Sequence, residues 1–195
     1  MEKFDLYLVR HGETAWTLTD QHTGLTDLPL TAHGVEQAKG LQKRLQPYSF
    51  DHVFTSPLQR AKETCKLAGY LDRATIDPDL VEWNYGKYEG LTTAEILAAN
   101  PSWDIFRDGV PEGETLSAIG ARADRVLARV LALEGTTVLF SSGHFLRILA
   151  ARYLGLPPSE GRLLLLNPAS LSILGYEHIH PVIAAWNLTL NSTGR

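Results

Sequence analysis

The sequence holds a single cysteine, Cys65, so no intramolecular disulfide and no thiolate metal cluster can form. This fits a reducing compartment, and Cys65 reads as a small buried apolar residue. Long hydrophobic runs are also missing. Runs such as 163–166 are far too short to span a bilayer. The N-terminus lacks the basic start and continuous apolar stretch of a secretory signal. A cytoplasmic chain without membrane contact is therefore expected. Basic charge is not in excess either: 18 Lys and Arg stand against 22 Asp and Glu, for a net charge of −4. Nothing in that balance predicts nucleic-acid binding. Zinc or calcium ligand spacings, a P-loop, internal repeats and linkers are absent, and neither metal nor cofactor is expected.

What remains is ordinary globular material. The 195 residues, 44% hydrophobic and 21% charged, are read as one domain over 1–195. Residues 4–9 read as a buried strand ending before Gly12. Thr31 caps an expected helix to about Gln46, with Val35, Ala38, Leu41 and Leu45 on one face. His52 to Thr55 is a second strand. Ser56-Pro57 reads as a helix start, with serine as cap and proline first, and that helix carries Arg60 to about Ala68. A short strand is expected over 74–76, a helix over 92–99 and a loop-like excursion over 100–113. The strongest helical signal covers 114–133. Residues 136–141 read as a central strand, 145–154 as a helix, and 171–176 with 182–186 as a final strand pair. Strands alternating with helices predict an α/β sandwich with a largely parallel sheet.

In such sheets ligands bind outside the carboxyl ends of the strands. Arg10-His11-Gly12-Glu13, Ser56-Pro57 with Arg60, and Ser142-Gly143-His144 all fall at predicted strand ends. Arginine offers phosphate a planar fork of donors. Histidine is a nucleophile near neutral pH when a second hydrogen bond fixes its tautomer. The helix start near Phe145 adds backbone N–H groups. The set suits a phosphate dianion held by protein groups alone.

These residues resemble the signature of the histidine phosphatase superfamily, which includes phosphoglycerate mutases. Leu8-Val9-Arg10-His11-Gly12-Glu13-Thr14 carries the resemblance first. Thr23-Gly24, Pro29-Leu30-Thr31, the segment Thr55 to Ala61, Glu82 to Gly86, Gly113-Glu114-Thr115 and Ser142-Gly143-His144 extend it in order along most of the chain. The resemblance implies a three-layer α/β/α sandwich. It implies that His11 becomes a phosphohistidine, that Arg10, Arg60 and His144 hold the transferring group, and that Glu82 protonates the leaving alkoxide. Leu80, Val81 and Trp83 are candidates to desolvate that glutamate. Thr17, Thr23, Gly24, Tyr85, Gly143 and His22 are the expected substrate contacts, with Thr17 standing where many relatives have asparagine. His22 is read either as a cation reaching the substrate or as a loop histidine.

Mutases of this family carry a long basic insertion between the acid and the second histidine. Here that interval is short, with Lys87 and Arg107 as candidates for substrate selection and Arg122, Arg125 and Arg129 expected in solvent. A phosphatase is therefore expected over a mutase, with a non-catalytic phosphate-ester-binding module as a further alternative. The stretch from Gln21 to Thr31 and the Trp16-Thr17 pair resemble the sugar-bisphosphatase branch, so a small phosphorylated metabolite, a sugar phosphate above all, is the expected partner. Of the tryptophans, Trp16 and Trp83 are the expected neighbours of the site. The run near Leu163 fits core, an edge strand or a homodimer contact.

Overall fold

A computed structural model describes residues 5–189. Phe4, expected to open the first strand, lies outside the described residues. Strand β1 (Leu6–Arg10) is buried along almost its whole length, as its unbroken apolar run requires. A short helix α1 (Ala15–Leu18) follows, then α2 (Ala32–Leu45). Thr31 caps α2 as expected, its hydroxyl accepting from the Gly34 N–H at 3.0 Å. After β2 (His52–Thr55), helix α3 spans Gln59–Leu67. The expected Ser56 cap is corrected here. Leu58 holds the cap position, and Asp27 from a distant loop accepts the Gln59 N–H at 2.6 Å. Ser56 instead closes a local turn, accepting from the Leu58 N–H at 3.3 Å.

Strand β3 (Thr75–Ile76), helices α4 (Thr93–Ala99) and α5 (Ile105–Asp108), and the long α6 (Leu116–Leu131) come next. The last elements of the described residues are β4 (Thr137–Ser141), α7 (Gly143–Tyr153), β5 (Leu171–Glu177) and β6 (His180–Leu188). The strands form one sheet in the order β3-β2-β4-β1-β5-β6. β1 to β4 run parallel, and β5 is antiparallel to β1 and β6.

The period-two alternation of β1 divides the core. Leu6 and Leu8 join Ile119, Ala123 and Val126 of α6 and Phe145 and Ile148 of α7 on one face. Tyr7 and Val9 meet Leu41 and Leu45 of α2 and Cys65 of α3 on the other. Each fully buried leucine contributes roughly 1.5–3 kcal/mol. Helices on both faces make the expected α/β/α sandwich, with the carboxyl ends of β1, β2 and β4 adjacent along one edge. Among the described residues, no helix is long and apolar enough to cross a membrane.

Candidate active site

His11 follows β1 directly, and its backbone is clamped on both sides. Its N–H donates to the Ser141 carbonyl of β4 (3.0 Å), and its carbonyl accepts from the Ala169 N–H (2.9 Å). The chain then turns at Gly12 against the start of α2, where a Cβ would stand 2.6 Å from the Gly34 carbonyl oxygen. Only glycine permits that approach.

The His11 ring is fixed at both nitrogens. Nδ1 lies 2.7 Å from the Gly12 carbonyl, which can only accept. Nε2 lies 3.2 Å from Arg60 Nε, which can only donate. The proton is therefore on Nδ1 and the lone pair on Nε2. Burial, then the charges of Arg60 and Arg10, hold the His11 pKa well below 6.5. The ring is neutral at pH 7, in the tautomer that leaves a lone pair on Nε2.

Arg60, in the first turn of α3, is fully buried behind His11. Besides His11 it binds the carbonyls of Thr26 (2.9 Å), Thr23 (3.2 Å) and Gly24 (2.7 Å). Glu89 braces the same loop from the other side, accepting from the N–H groups of Gly24 (2.9 Å) and Thr26 (3.1 Å). Most of Arg60's donors thus orient His11 and the 23–26 loop.

Glu82 lies across the site, only 4% exposed, between fully buried Leu80 and Trp83. One carboxylate oxygen accepts from the N–H of Trp83 (2.9 Å) and of Phe145 (2.8 Å), the other from the N–H of His144 (3.0 Å). Arg122 holds the segment below it, donating to the carbonyls of Asp79 (2.8 Å), Val81 (2.6 Å) and Glu82 (3.2 Å) and pairing with Glu114 at 2.6 Å. This corrects the expectation that Arg122 is solvated: its position on α6 faces the 79–82 segment. Arg125 and Arg129 do reach the surface, paired with Asp79 and Asp77.

A cavity of about 190 Å³ opens at this edge. It is lined by Arg10, His11, Thr17, His22, Thr23, Glu82, Tyr85, Gly143 and His144 among the expected residues. Arg60 and Gly24 do not line it, being engaged with each other behind His11. Thr17 reaches it with a committed hydroxyl, which donates to the Thr14 carbonyl (2.9 Å) and accepts from the Thr14 N–H (2.7 Å). Of the two readings of His22, the neutral loop histidine is favoured: burial lowers its pKa below 6.5, against the Leu91 backbone hydrogen bond and the Glu89 charge that raise it. Its ring packs edge-on against Tyr85 at 4.9 Å. Lys87 and Arg107 are exposed, paired with Glu112 and Asp108, and do not line the cavity.

Arg10 lies against Gly143, where a Cβ would stand 3.1 Å from its Cζ, and it donates to the Leu166 carbonyl. Its Nε is buried without a partner among the described residues. His144 Nδ1 lies 2.5 Å from the Tyr85 hydroxyl. Burial, then Arg147, His22 and Arg10, push the His144 pKa well below 6.5, while burial and then Glu82 push the Tyr85 phenol well above 10.

Four lining residues escaped sequence reasoning: Asp20, Gln21, Arg147 and Leu166. Arg147 had a legible signal, since it stands one helical turn after His144 on the same face of α7. Its Nε and Nη2 bond the carbonyls of Gly161 (3.0 Å) and Arg162 (3.2 Å), and its plane stacks 4.8 Å over Phe106. Leu163 and Leu165 are exposed beside this region, and the run belongs to no strand. Trp83 packs 6.2 Å from the His144 ring, whereas Trp16 covers Gly90. Trp103, not expected near the site, approaches His22 at 5.8 Å. Among the described residues, no group of three His, Cys, Asp or Glu side chains is arranged to hold a metal ion.

Residues 6–189 match the histidine phosphatase superfamily (branch 1). An acid phosphatase of Mycobacterium tuberculosis is 40% identical over 188 residues, covering 94% of this chain and 92% of the relative. A sedoheptulose 1,7-bisphosphatase of Saccharomyces cerevisiae is 38% identical over 181 residues, covering 76% and 67%. A solved Mycobacterium tuberculosis open-reading-frame product superposes with a TM-score of 0.90 at 38% identity, covering 95% of this chain and 98% of that one.

Proposed function

Because the chain belongs to the histidine phosphatase superfamily, we propose that it hydrolyses the monoester of a small sugar phosphate through a phosphohistidine at His11, without a metal. The observation that carries this reading is the neutral His11 ring, with its Nε2 lone pair held by Arg60. Nε2 attacks phosphorus as the bond to the ester oxygen breaks, exchanging the Arg60 contact for the new N–P bond. Glu82 gives its proton to the departing alkoxide. Water then attacks the phosphohistidine, Glu82 takes the water's proton, and phosphate leaves with His11 restored. Arg10, whose Nε–H has no partner among the described residues, and His144 stabilise the equatorial oxygens. Arg60 acts mainly by holding His11.

Two features support a small metabolite. The cavity is well below the ~300–1,000 Å³ usual for drug-sized ligands. Arg147, fixed at its lip, offers a second cation to a polyanionic or hydroxyl-rich substrate. The names of the acid phosphatase and the sugar bisphosphatase among the relatives agree with this class.

The test is phosphate release from sugar phosphates, phosphoglycerates and p-nitrophenyl phosphate in EDTA. Wild type should release phosphate, best from a sugar phosphate, and His11→Ala should lower kcat by roughly 10³-fold or more. Uniformly poor turnover of every sugar phosphate would overturn the substrate class. Interconversion of phosphoglycerates without release would identify a mutase instead.

A further inference from the structure

Ser142 is the residue before α7, and its extended backbone (φ −120°, ψ 169°) is that of a helix cap. A capping serine accepts the N–H of the second or third helical residue. Those residues are His144 and Phe145, and both N–H groups go to Glu82. Ser142 makes no cap bond. Its side chain is fully buried, and Oγ has no partner among the described residues. Burying an unpartnered hydroxyl is unfavourable, so the arrangement calls for an explanation.

The explanation lies in what Glu82 has to do. Both of its oxygens are engaged by backbone N–H groups. When the oxygen shared by Phe145 and Trp83 turns to a leaving group, both N–H groups lose their acceptor, and that of Phe145 lies at the buried start of α7. Ser142 holds the cap position before α7, and its Oγ has no partner among the described residues. The β1–β4 register places Arg10 opposite Ser141, so Ser142 and His11 leave the sheet side by side.

We infer that Ser142 and Glu82 exchange as the cap of α7: the Ser142 hydroxyl accepts the Phe145 N–H while the Glu82 carboxyl swings to the leaving oxygen. Ser142 is then a positioning residue, acting on the reaction through Glu82. The inference rests on the proposed role of Glu82 as proton donor.

The experiment compares kcat/KM for a sugar phosphate, whose alkoxide needs a proton, with p-nitrophenyl phosphate, whose phenolate leaves without one. Glu82→Gln should lower the first by about 10²-fold and the second little. Ser142→Ala should lower the first about tenfold and leave the second within about twofold, with no loss of melting temperature. Ser142→Thr, which keeps a capping hydroxyl, should restore the sugar-phosphate value to within about threefold. Ser142→Gly keeps a good cap backbone and reads in the same way if the alanine variant does not fold.

Wild-type behaviour of Ser142→Ala on both esters would overturn the exchange. Equal loss on both would overturn it too, making the hydroxyl a ligand of the phosphoryl group. If Glu82→Gln lowers both esters alike, Glu82 is not the proton donor, and the exchange falls with that role rather than on its own account.

Discussion

His11 and His144 are neutral imidazoles held in opposite tautomers. His11 keeps its proton on Nδ1 because Gly12 accepts there and Arg60 donates to Nε2. The Tyr85 phenol has no acceptor among the described residues other than His144 Nδ1, so its proton goes there and His144 retains its own on Nε2. One ring thus offers a lone pair and the other an N–H. The residue types at the strand ends were legible in the sequence; these tautomers were not, because they depend on partners 59 and 49 residues away. The same holds for Gly24, whose polar groups are spent on Glu89 and Arg60, whereas Thr17 spends its hydroxyl locally, on Thr14 three residues before it. Tyr85→Phe keeps the packing and removes the lock. It should lower kcat/KM about tenfold while the melting temperature stays close to wild type. Ring nitrogen NMR should show His144 sampling both tautomers, and an unchanged rate and spectrum would refute the assignment.

At the scale of elements, α6 shows how far periodicity reaches. Ile119, Ala123, Val126 and Val130 are buried as their spacing predicts. The same pattern assigns Arg122 to solvent, because periodicity gives a face and not what packs on its flank. The guanidinium binds Glu114 through two nitrogens, Nε at 2.9 Å and Nη2 at 2.6 Å, and lies 4.6 Å from the Phe145 ring centroid. It joins α6, α7 and the segment bearing Glu82. The excursion over 100–113 likewise gains a helix, α5, from local chemistry: Asp104 accepts the N–H groups of Phe106 (2.9 Å) and Arg107 (3.1 Å). Removing one partner of a buried pair leaves the other unpaired. Arg122→Ala should therefore destabilise the protein by about 3–5 kcal/mol in urea unfolding and lower activity through displacement of Glu82. A loss below about 1 kcal/mol would mean that the pair is effectively solvated.

For the whole molecule, the site imposes a pH dependence on folding. His11, His144 and His22 have pKa values below 6.5 in the folded state, each chiefly through burial. In the unfolded chain they titrate near 6.5. Below that pH the unfolded state binds more protons, so stability is fully present above pH 6.5 and is lost as pH falls. Each such histidine steepens the loss by at most about 1.4 kcal/mol per pH unit. Asp79 acts in a lower window. Burial raises its pKa, but Arg125 and Arg129 outweigh that and hold it below 3.8, so its contribution survives until stronger acid. Unfolding free energies measured from pH 7.5 to 5 should fall progressively below 6.5, and His144→Gln should flatten the slope by about one proton. A flat profile would mean that folding leaves these histidine pKa values unshifted, and burial would not then be what keeps His11 neutral. With His11 neutral, the acid limb of kcat/KM should owe nothing to its protonation at pH 6.5, which ties the same burial that weakens the fold in acid to the availability of the proposed nucleophile.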